Sequence, residues 1–338
     1  MPQKKLNIAV VGAASIVGEQ IIKCLKERGF PAGNISLLSG SPGAEEDAET
    51  VGALNHDSFK DIDIAFFSAD RRVSLLFCPY AWKSGAVCID MSSAWRMDPA
   101  APLVVPNINP EAIASFNAKG IIAIPAANVI LMALALKPLH DFGNIRRIVV
   151  STYQSVSGSG KRAIDELHNQ VFELLNARIP ESNVYSHRIA FNCLPHVGSF
   201  HDNAYTSEET KLMNETLRIL GPDMKIAATA ARISAFYGYC QSINIETEKK
   251  ISAEEAKTLI AQALGCELLD DPANQLYPVI SETAGQDLVG VGRIREDQSI
   301  PNGLNLWAAA DNIRLCAINA VQIAEILAEK HLKLSPAA

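Results

Sequence analysis

Residues 6–18 read LNIAVVGAASIVG, and they decide the first part of the fold. β-favouring apolar residues run from Leu6 to Val11, and residues 16–27 then show the amphipathic pattern of a helix. The turn between them contains Gly12, Ala13, Ser15 and Gly18. A dinucleotide-binding loop occupies this place in many proteins, because a helix N-terminus attracts the pyrophosphate. A plain turn between a strand and a helix is the alternative interpretation.

The composition sets the class of protein. A chain of 338 residues can form two domains with sizeable cores, and 48% apolar with 20% charged residues is typical of a soluble protein. The net charge of −7 and the lack of a lysine- or arginine-rich run argue against nucleic acid or a membrane as partner. Seven scattered cysteines without a CxxC pair predict a reduced cytoplasmic protein with no metal site. No apolar stretch reaches the roughly 18 residues needed to cross a bilayer.

Short β-rich runs alternate with helical ones through the first 150 residues. Strands are predicted at 35–38, 64–67 and 86–90, and a helix at 73–82, whereas residues 40–52 are typical of a loop. Such alternation predicts an α/β fold with a parallel sheet. Later strands are predicted at 120–124, 147–153, 226–245 and 304–310, and later helices at 129–139, 161–175, 211–220, 256–263 and 313–329.

Three helix starts carry capping signals. Asn109 precedes Pro110, which predicts an asparagine cap with proline at the first helical position. Thr206 with Glu209, and Ser252 with Glu255, form capping-box patterns.

Six further segments, in order and spacing, resemble the aspartate-semialdehyde dehydrogenase family. They read DIAFFSA (63–69), SSAWRMD (92–98), LVVP (103–106), STYQSVSG (151–158), DN with YT (202–206) and NLW with DN (305–312). With the opening loop they cover nearly the whole chain. The resemblance implies a Rossmann-like NAD(P)-binding domain over 1–128, completed by 313–338, and an α+β dimerisation and substrate domain over 129–312. It also implies a homodimer.

The resemblance implies a thioester chemistry that this chain lacks the residues to perform. The family's cysteine attacks an aldehyde, hydride passes to NADP, and phosphate releases an acyl phosphate. The family's Asn-Pro-Asn-Cys segment matches residues 124–127, which puts Ala127 at the nucleophile. The family's histidine lies seven residues after an arginine; Arg232 is retained, but Tyr239 takes the histidine position. A tyrosine with a pKa of about 10 is a poor proton shuttle at neutral pH. The chain thus resembles the cysteine-less Usg-type paralogues of the family.

The residues of an anion pocket are retained. The resemblance implies that Arg96 and Lys211 belong to the phosphate site and that Arg232 binds the substrate carboxylate. It also implies that Gln154 lies near the reacting carbon and that Glu208 faces the substrate ammonium. Arginine suits this role because its fork pairs with carboxylates and phosphates in bidentate fashion. The alternative is that each is a solvated surface charge.

The resemblance implies NADP or NAD as cofactor, with Gly12, Ala13, Ser15, Gly18, Ser68, Gly158 and Asn312 at its site. Ser15 replaces the family's middle glycine, and Pro42 and the acids at 45–47 lie where the family holds the 2′-phosphate. Asp70 and Arg71 replace a small Gly-Gly loop, although Arg71 could itself bind a phosphate. We therefore predict weak or absent NADP binding.

Other reactive residues offer no clear substitute. Cys240 adjoins Tyr239, but neighbours in a strand point to opposite faces, so we expect Cys240 to behave as a buried small hydrophobe. His196 and His201 have no clustered metal-ligand partners in the sequence. Two hypotheses remain. The first is an inactive paralogue that keeps an anion pocket and acts by binding or regulation. The second is an active oxidoreductase on an aldehyde or acyl phosphate in amino-acid biosynthesis.

Overall fold

The computed structural model describes residues 5–40 and 51–332. Its contacts divide the chain into two compact units, one of residues 1–126 with 316–338 and one of residues 127–315. The sequence-based boundaries were placed after residue 128 and before residue 313. The predictions made for Pro42 and for the acids at 45–47 fall outside the described residues.

The first unit contains a five-stranded sheet in the order β2-β1-β3-β4-β5, and every pair in it is parallel. The strands β3, β4 and β5 are buried along their whole length, as a parallel sheet covered on both faces requires. The predicted α/β class is therefore confirmed. The elements are β1 Leu6–Val11, α1 Ile16–Glu27, β2 Ala32–Leu38, β3 Ile64–Phe67, α2 Arg71–Lys83, β4 Val87–Asp90 and β5 Ile121–Ala123.

The second unit contains a seven-stranded mixed sheet in the order β10-β11-β12-β9-β6-β8-β7. Its centre pairs β6 with β8 in parallel and with β9 in antiparallel orientation. The elements are α3 Ala127–Gly143, β6 Ile145–Gln154, α4 Lys161–Leu175, β7 Cys193–Leu194, α5 Ser207–Leu220, β8 Lys225–Ile233, β9 Tyr239–Thr247, α6 Ala253–Ala261, β10 Cys266–Leu268, β11 Val289–Glu296 and β12 Gly303–Ala310. The helix α7, Asn312–Ile326, begins in this unit and continues in the first.

Helix α3 is the central helix of the second unit. All of its residues from Asn128 to Leu136 are buried, which its sequence explains, since it is apolar around its whole circumference. It packs on α5 and α6 and on the strands β9, β11 and β12. Because the helix is buried, its first residues have a defined position in the second unit. The resemblance places the family's nucleophile at these residues.

The two capping boxes are confirmed: Thr206 and Ser252 each cap the amide three residues later, and Glu209 and Glu255 reciprocate. Asn109 holds the N-cap position and proline opens the helix, as predicted, but the Asn109 side chain makes no capping hydrogen bond. A 3₁₀ helix does begin at Pro110, but Asn109 Oδ1 accepts from the Val105 amide (2.8 Å) and Nδ2 donates to Leu103 O (2.9 Å). The Asn109 side chain therefore bonds to the backbone of the preceding turn and not to the amides of the helix.

Candidate active site

Three predicted site residues lie side by side on three adjacent strands. Gln154, the last residue of β6, pairs with Arg232 on β8 on one side and with Tyr239 on β9 on the other. Directly paired residues share a face of the sheet. All three are buried, with exposed fractions of 1%, 5% and 6% respectively. Strand pairing therefore brings Gln154 beside two residues that lie 78 and 85 positions later in the sequence.

The start of α3 adds a polar network to these strands. Ala127 is the first residue of α3, and Asn128 follows it. Asn128 Nδ2 donates to Glu208 Oε1 (3.0 Å), and Gln154 Nε2 donates to the same oxygen (3.3 Å). Lys211 Nζ lies 3.4 Å from Glu208 Oε2. The Glu208 carboxylate thus accepts from two amides and one ammonium group of its own unit.

Asn128 and Gln241 are site residues that we did not predict. Gln241 Nε2 donates to the backbone oxygen of Asn128 (2.7 Å). Asn128 Oδ1 and Gln241 Oε1 are both buried, and neither has a hydrogen-bond partner among the residues that the structure describes. A signal for Gln241 existed, because it lies two residues after Tyr239 and hence on the same strand face. The signal for Asn128 was its place next to Ala127.

Arg232 keeps one donor unused. Its Nη1 donates to Ser155 O (2.6 Å), but its Nε is buried and has no hydrogen-bond partner in the described part of the chain. The side chain lines a cavity of about 270 Å³. A buried guanidinium that lines a cavity and lacks a counter-charge can bind an anion.

Gly158 and Asn312, predicted at the cofactor site, make contacts within the second unit. The Tyr239 hydroxyl fills the space where a Cβ atom on Gly158 would lie. Asn312 Oδ1 accepts from the Gly238 amide (2.9 Å) and from the Ser157 hydroxyl (3.1 Å). These contacts hold the loop after β6 against the start of β9.

Cys240 lies on the opposite sheet face from Tyr239, as strand alternation predicts. It lines a separate cavity of about 500 Å³ together with Tyr277 and Trp307. Burial raises the pKa of the Cys240 thiol to about 12. A thiol of that pKa is not a nucleophile at neutral pH.

In the first unit, Gly12 and Gly18 have the geometry of a dinucleotide-binding turn. Gly12 has φ +78°, and a Cβ atom there would lie 2.8 Å from Ser68 O. A Cβ atom on Gly18 would overlap the Gly12 carbonyl oxygen, so helix and strand approach closely here. Ala13 is buried in the same turn. The backbone of this loop therefore fits a dinucleotide fold.

Some amides of that loop already donate hydrogen bonds within the protein. Ser15 caps α1, and its Oγ accepts from the Gly18 amide (3.0 Å) and lies 3.3 Å from Ser68 Oγ. The amides of Gly12 and Ala13 both donate to Leu38 O, and the Ser15 amide donates to Gly12 O. Four amides around this turn, those of Gly12, Ala13, Ser15 and Gly18, therefore donate within the protein.

Arg96 and Asp70 also have structural roles in the first unit. Arg96 is 9% exposed, and it donates from Nε to Ile124 O (2.8 Å) and from Nη2 to Met91 O (2.6 Å). These two donors are thereby committed to backbone. Asp70 caps α2 by accepting from the Arg72 and Val73 amides, and Arg71 beside it is exposed.

Within residues 5–40 and 51–332, no three His, Cys, Asp or Glu side chains are grouped as a metal site requires. His196 stacks on Phe200 with ring centroids 4.4 Å apart. The His201 amide donates to Tyr205 O. None of the helices in the described ranges has the length and apolar character of a membrane span.

Comparison with known proteins identifies the family. Residues 7–116 match the family model described as "Semialdehyde dehydrogenase, NAD binding domain", and residues 136–315 match "Semialdehyde dehydrogenase, dimerisation domain". The chain is 46% identical to an aspartate-semialdehyde dehydrogenase of Aquifex aeolicus over 96% of this chain and 99% of the relative. It is 40% identical to one of Bacillus subtilis, with 97% and 99% covered.

A solved structure agrees with these matches along the chain. The crystal structure of aspartate semialdehyde dehydrogenase II complexed with ASA from Vibrio cholerae superimposes with a TM-score of 0.92 at 41% identity, covering 97% of this chain and 99% of that one. The two family models, the relatives and the structure all agree, and the chain belongs to the aspartate-semialdehyde dehydrogenase family.

Proposed function

We propose that this chain is a non-catalytic, Usg-type member of its family that acts by binding a small anion. The observation that carries the proposal is Ala127 at the first residue of α3. A cysteine there would benefit from the helix dipole, which lowers a thiol pKa and produces a thiolate. A methyl group forms no covalent intermediate, so the phosphate-dependent, NADP-linked oxidation of aspartate semialdehyde has no first step.

The neighbouring residues support this proposal. Tyr239 takes the place that the resemblance gives to the proton-transferring histidine, and its hydroxyl is packed against Gly158. Cys240 faces the other side of the sheet, and its pKa is raised to about 12. Neither residue supplies a nucleophile beside Gln154.

Anion binding is supported by the residues that remain. Arg232 lines a cavity, and its buried Nε has no hydrogen-bond partner among the described residues. Lys211 is partly exposed, and its ion-pair partner among the described residues is Glu208, at 3.4 Å. Lys211 is paired with Glu208, whereas Arg232 bonds to a neutral carbonyl, so a second negative charge would find a partner in Arg232.

We also propose weak NADP binding, because Ser15 occupies the Gly18 amide and other loop amides bond internally. No metal is proposed, and a cytoplasmic location stays a prediction. If a nucleotide does bind, Gly12, Ala13, Gly18 and Ser68 are the residues that would hold its pyrophosphate, and the nicotinamide would supply hydride transfer.

A homodimer is proposed through the second unit, whose sheet has an open face. Thr229, Ser151, Ser242 and Trp307 form one row across β8, β6, β9 and β12, and each is at least partly exposed. The family model over these strands is described as a dimerisation domain. Light scattering should give twice the chain mass for the native protein and a monomer for Ser242→Arg, and a native monomer would contradict this proposal.

The second candidate is an active oxidoreductase on an aldehyde or acyl phosphate. The observation that favours it is the 40–46% identity with relatives that bear the enzyme's name. Such an enzyme would need a nucleophile other than residue 127.

The test is turnover of aspartate semialdehyde by the purified protein with NADP and phosphate. We expect none from the native chain, and we expect the double variant Ala127→Cys, Tyr239→His to gain measurable turnover if the rest of the site is intact. Clear native turnover would refute the proposal. Native turnover that Cys240→Ala abolishes would establish the second candidate and identify its nucleophile.

A further inference from the structure

The strand β11 contains an irregularity that decides which face of the sheet its second arginine occupies. Gly292 pairs with Trp307 on β12, and Arg295 pairs with Asn305, so three steps along β11 match two steps along β12. The extra residue makes a β-bulge. In a regular strand Arg295, three positions after Gly292, would face away from Trp307. The bulge places Arg295 opposite Asn305, and therefore on the same face as Trp307.

The backbone of the bulge is strained at Arg293. This residue has φ +54°, in the left-handed region that favours glycine. Asp270 holds it there, because its Oδ1 accepts from the Arg293 amide (3.0 Å) and its Oδ2 from the Ile294 amide (3.0 Å). Arginine thus occupies a position where glycine would be less strained. Such an outlier points to a role for the side chain that glycine could not fill.

Arg293 and Arg295 both line the cavity of about 500 Å³ beside Cys240, and both are exposed. Arg295 Nη1 donates to Arg293 O (2.7 Å), which orients the Arg295 side chain along the bulge. Among the residues that the structure describes, neither guanidinium has an ion-pair partner, and no acidic side chain lines the cavity. Arginine stays protonated at all relevant pH values. The cavity therefore offers two unbalanced positive charges to a ligand.

The rest of the lining is aromatic and apolar. Trp307 and Tyr277 both line the cavity, and each has solvent-exposed surface. The Trp307 ring lies against Tyr153, with ring centroids 5.6 Å apart, and this contact orients it. Three consecutive apolar residues complete this side: Pro278, Val279 and Ile280. A mostly apolar cavity of this size with a few charged groups is typical of a small-molecule site, and its aromatic rings suit a planar ligand.

This cavity is separate from the candidate active site. Cys240 and Ser242 line it from β9, and they alternate with Tyr239, which pairs with Gln154 on the other face. Ser242 and Trp307 also belong to the row through which the homodimer is proposed, and the arginines lie on β11, the next strand beyond that row. A ligand here would therefore lie at the border of the proposed dimer face.

We propose that this cavity binds a small molecule that joins a planar aromatic ring to a phosphate group. The phosphate would pair with Arg293 and Arg295, and the ring would stack against Trp307 or Tyr277. A phosphate monoester has a charge of about −1.5 to −2 at neutral pH, which matches two guanidinium groups better than a monocarboxylate does. A nucleoside monophosphate and a simple aryl phosphate share this chemistry. The ligand is independent of the proposed function, because neither Ala127 nor Arg232 lines this cavity.

The first experiment is titration with four probes: phenyl phosphate, adenosine monophosphate, benzoate and inorganic phosphate. We expect at least one of the two aromatic phosphates to bind about tenfold more tightly than benzoate or inorganic phosphate, as measured by calorimetry. Trp307 is one of three tryptophans in the chain, and the other two belong to the first unit. The bound ring should change the tryptophan fluorescence, and Trp307→Phe should remove that change.

Two arginine variants test where the ligand binds. Arg295→Gln should weaken the binding of that ligand about tenfold, the effect of one charge-assisted hydrogen bond. Arg293→Gly should weaken it similarly, with a melting temperature at least as high as that of the native protein, because glycine adopts the left-handed backbone without strain. Arg188→Gln is the matched control, since Arg188 is exposed and does not line the cavity.

Each outcome decides for or against the proposed ligand class. Tighter binding of adenosine monophosphate than of phenyl phosphate would support it and identify a nucleotide, whereas the reverse order would support it and identify an aryl phosphate. Benzoate or inorganic phosphate binding as tightly as both aromatic phosphates would overturn it. So would an affinity that neither Arg295→Gln nor Arg293→Gly changes, because the ligand would then bind elsewhere. Failure of all four probes to bind would overturn it as well, and the turnover test of the proposed function would be unaffected.

Discussion

The Tyr239 hydroxyl occupies the space into which a Cβ atom on Gly158 would project. The same hypothetical atom would lie 3.1 Å from Arg232 Nη1, so glycine at 158 lets the tyrosine and the arginine approach the loop after β6. A histidine at position 239 would not extend a hydroxyl to this point. Gly158 and Tyr239 are therefore in specific contact, with the tyrosine hydroxyl in the space that the glycine leaves open.

Gly158→Ala should destabilise the protein by about 1–3 kcal/mol, because the new methyl group displaces the Tyr239 ring. The measurement is the free energy of unfolding in urea. In a Tyr239→Phe background the same substitution should cost less, since the overlapping oxygen is gone. An equal cost in both backgrounds would show that the two residues are not coupled.

Ser15→Gly should raise the affinity for NADP, because it frees the Gly18 amide and removes the side chain from the loop. We expect about a fivefold decrease in Kd, the effect of one hydrogen bond, measured by titration calorimetry. The loss of the cap should be small, since glycine is a tolerable N-cap.

Ser15→Ala provides the control for this prediction. It frees the amide but keeps a Cβ atom at the loop, so its affinity should fall between those of the native protein and Ser15→Gly. Low-micromolar NADP binding by the native protein, unchanged in both variants, would contradict the occupied-amide argument.

Residue patterns predicted the strands and the residues they carry, but not the contacts between distant segments. Gln154 and Arg232 were found because their neighbours in sequence match one family. Asn128 and Glu208 are 80 residues apart, and nothing in the local pattern of either residue specifies their hydrogen bond. Tyr185 lies in a segment with no helical or strand periodicity, and it is placed by a distant carboxylate, Glu166. The Asn109 side chain does not cap the helix that follows because it makes hydrogen bonds within the preceding turn. A capping rule considers only the residues of the helix start and does not take that turn into account.

Cysteine reactivity should separate Cys193 from Cys240. Cys193 is exposed, whereas burial raises the pKa values of Cys240 and Cys266 to about 12. At about pH 8 a thiol of that pKa is roughly one part in ten thousand thiolate, and the thiolate is the reactive form. Iodoacetamide should therefore label Cys193 in the native protein and Cys240 only in urea, as judged by peptide mass spectrometry. Native labelling of both at similar rates would contradict the assignment of Cys240 as buried and inert.

Asp90, at the end of β4, should make the first unit's stability depend on pH. Its side chain is fully buried, and it accepts from the hydroxyls of Ser74 (2.7 Å) and Ser92 (2.8 Å). Burial raises the pKa of Asp90 above its ordinary value of 3.8, and the two serines and Arg96 offset this only in part. The folded state therefore holds its proton to a higher pH than the unfolded state does.

The sign of the effect follows from proton binding. Between pH 3.8 and the raised pKa the folded state binds more protons, so the contribution of Asp90 to the free energy of unfolding falls as pH rises. The slope is at most about 1.4 kcal/mol per pH unit, and the contribution is constant above the raised pKa.

Asp90→Asn cannot ionise and should lack this dependence. The difference in unfolding free energy, native minus variant, should thus decrease with pH through this window. The same substitution at the exposed Asp165 controls for loss of one negative charge, and a difference at Asp90 that grows with pH would refute the assignment.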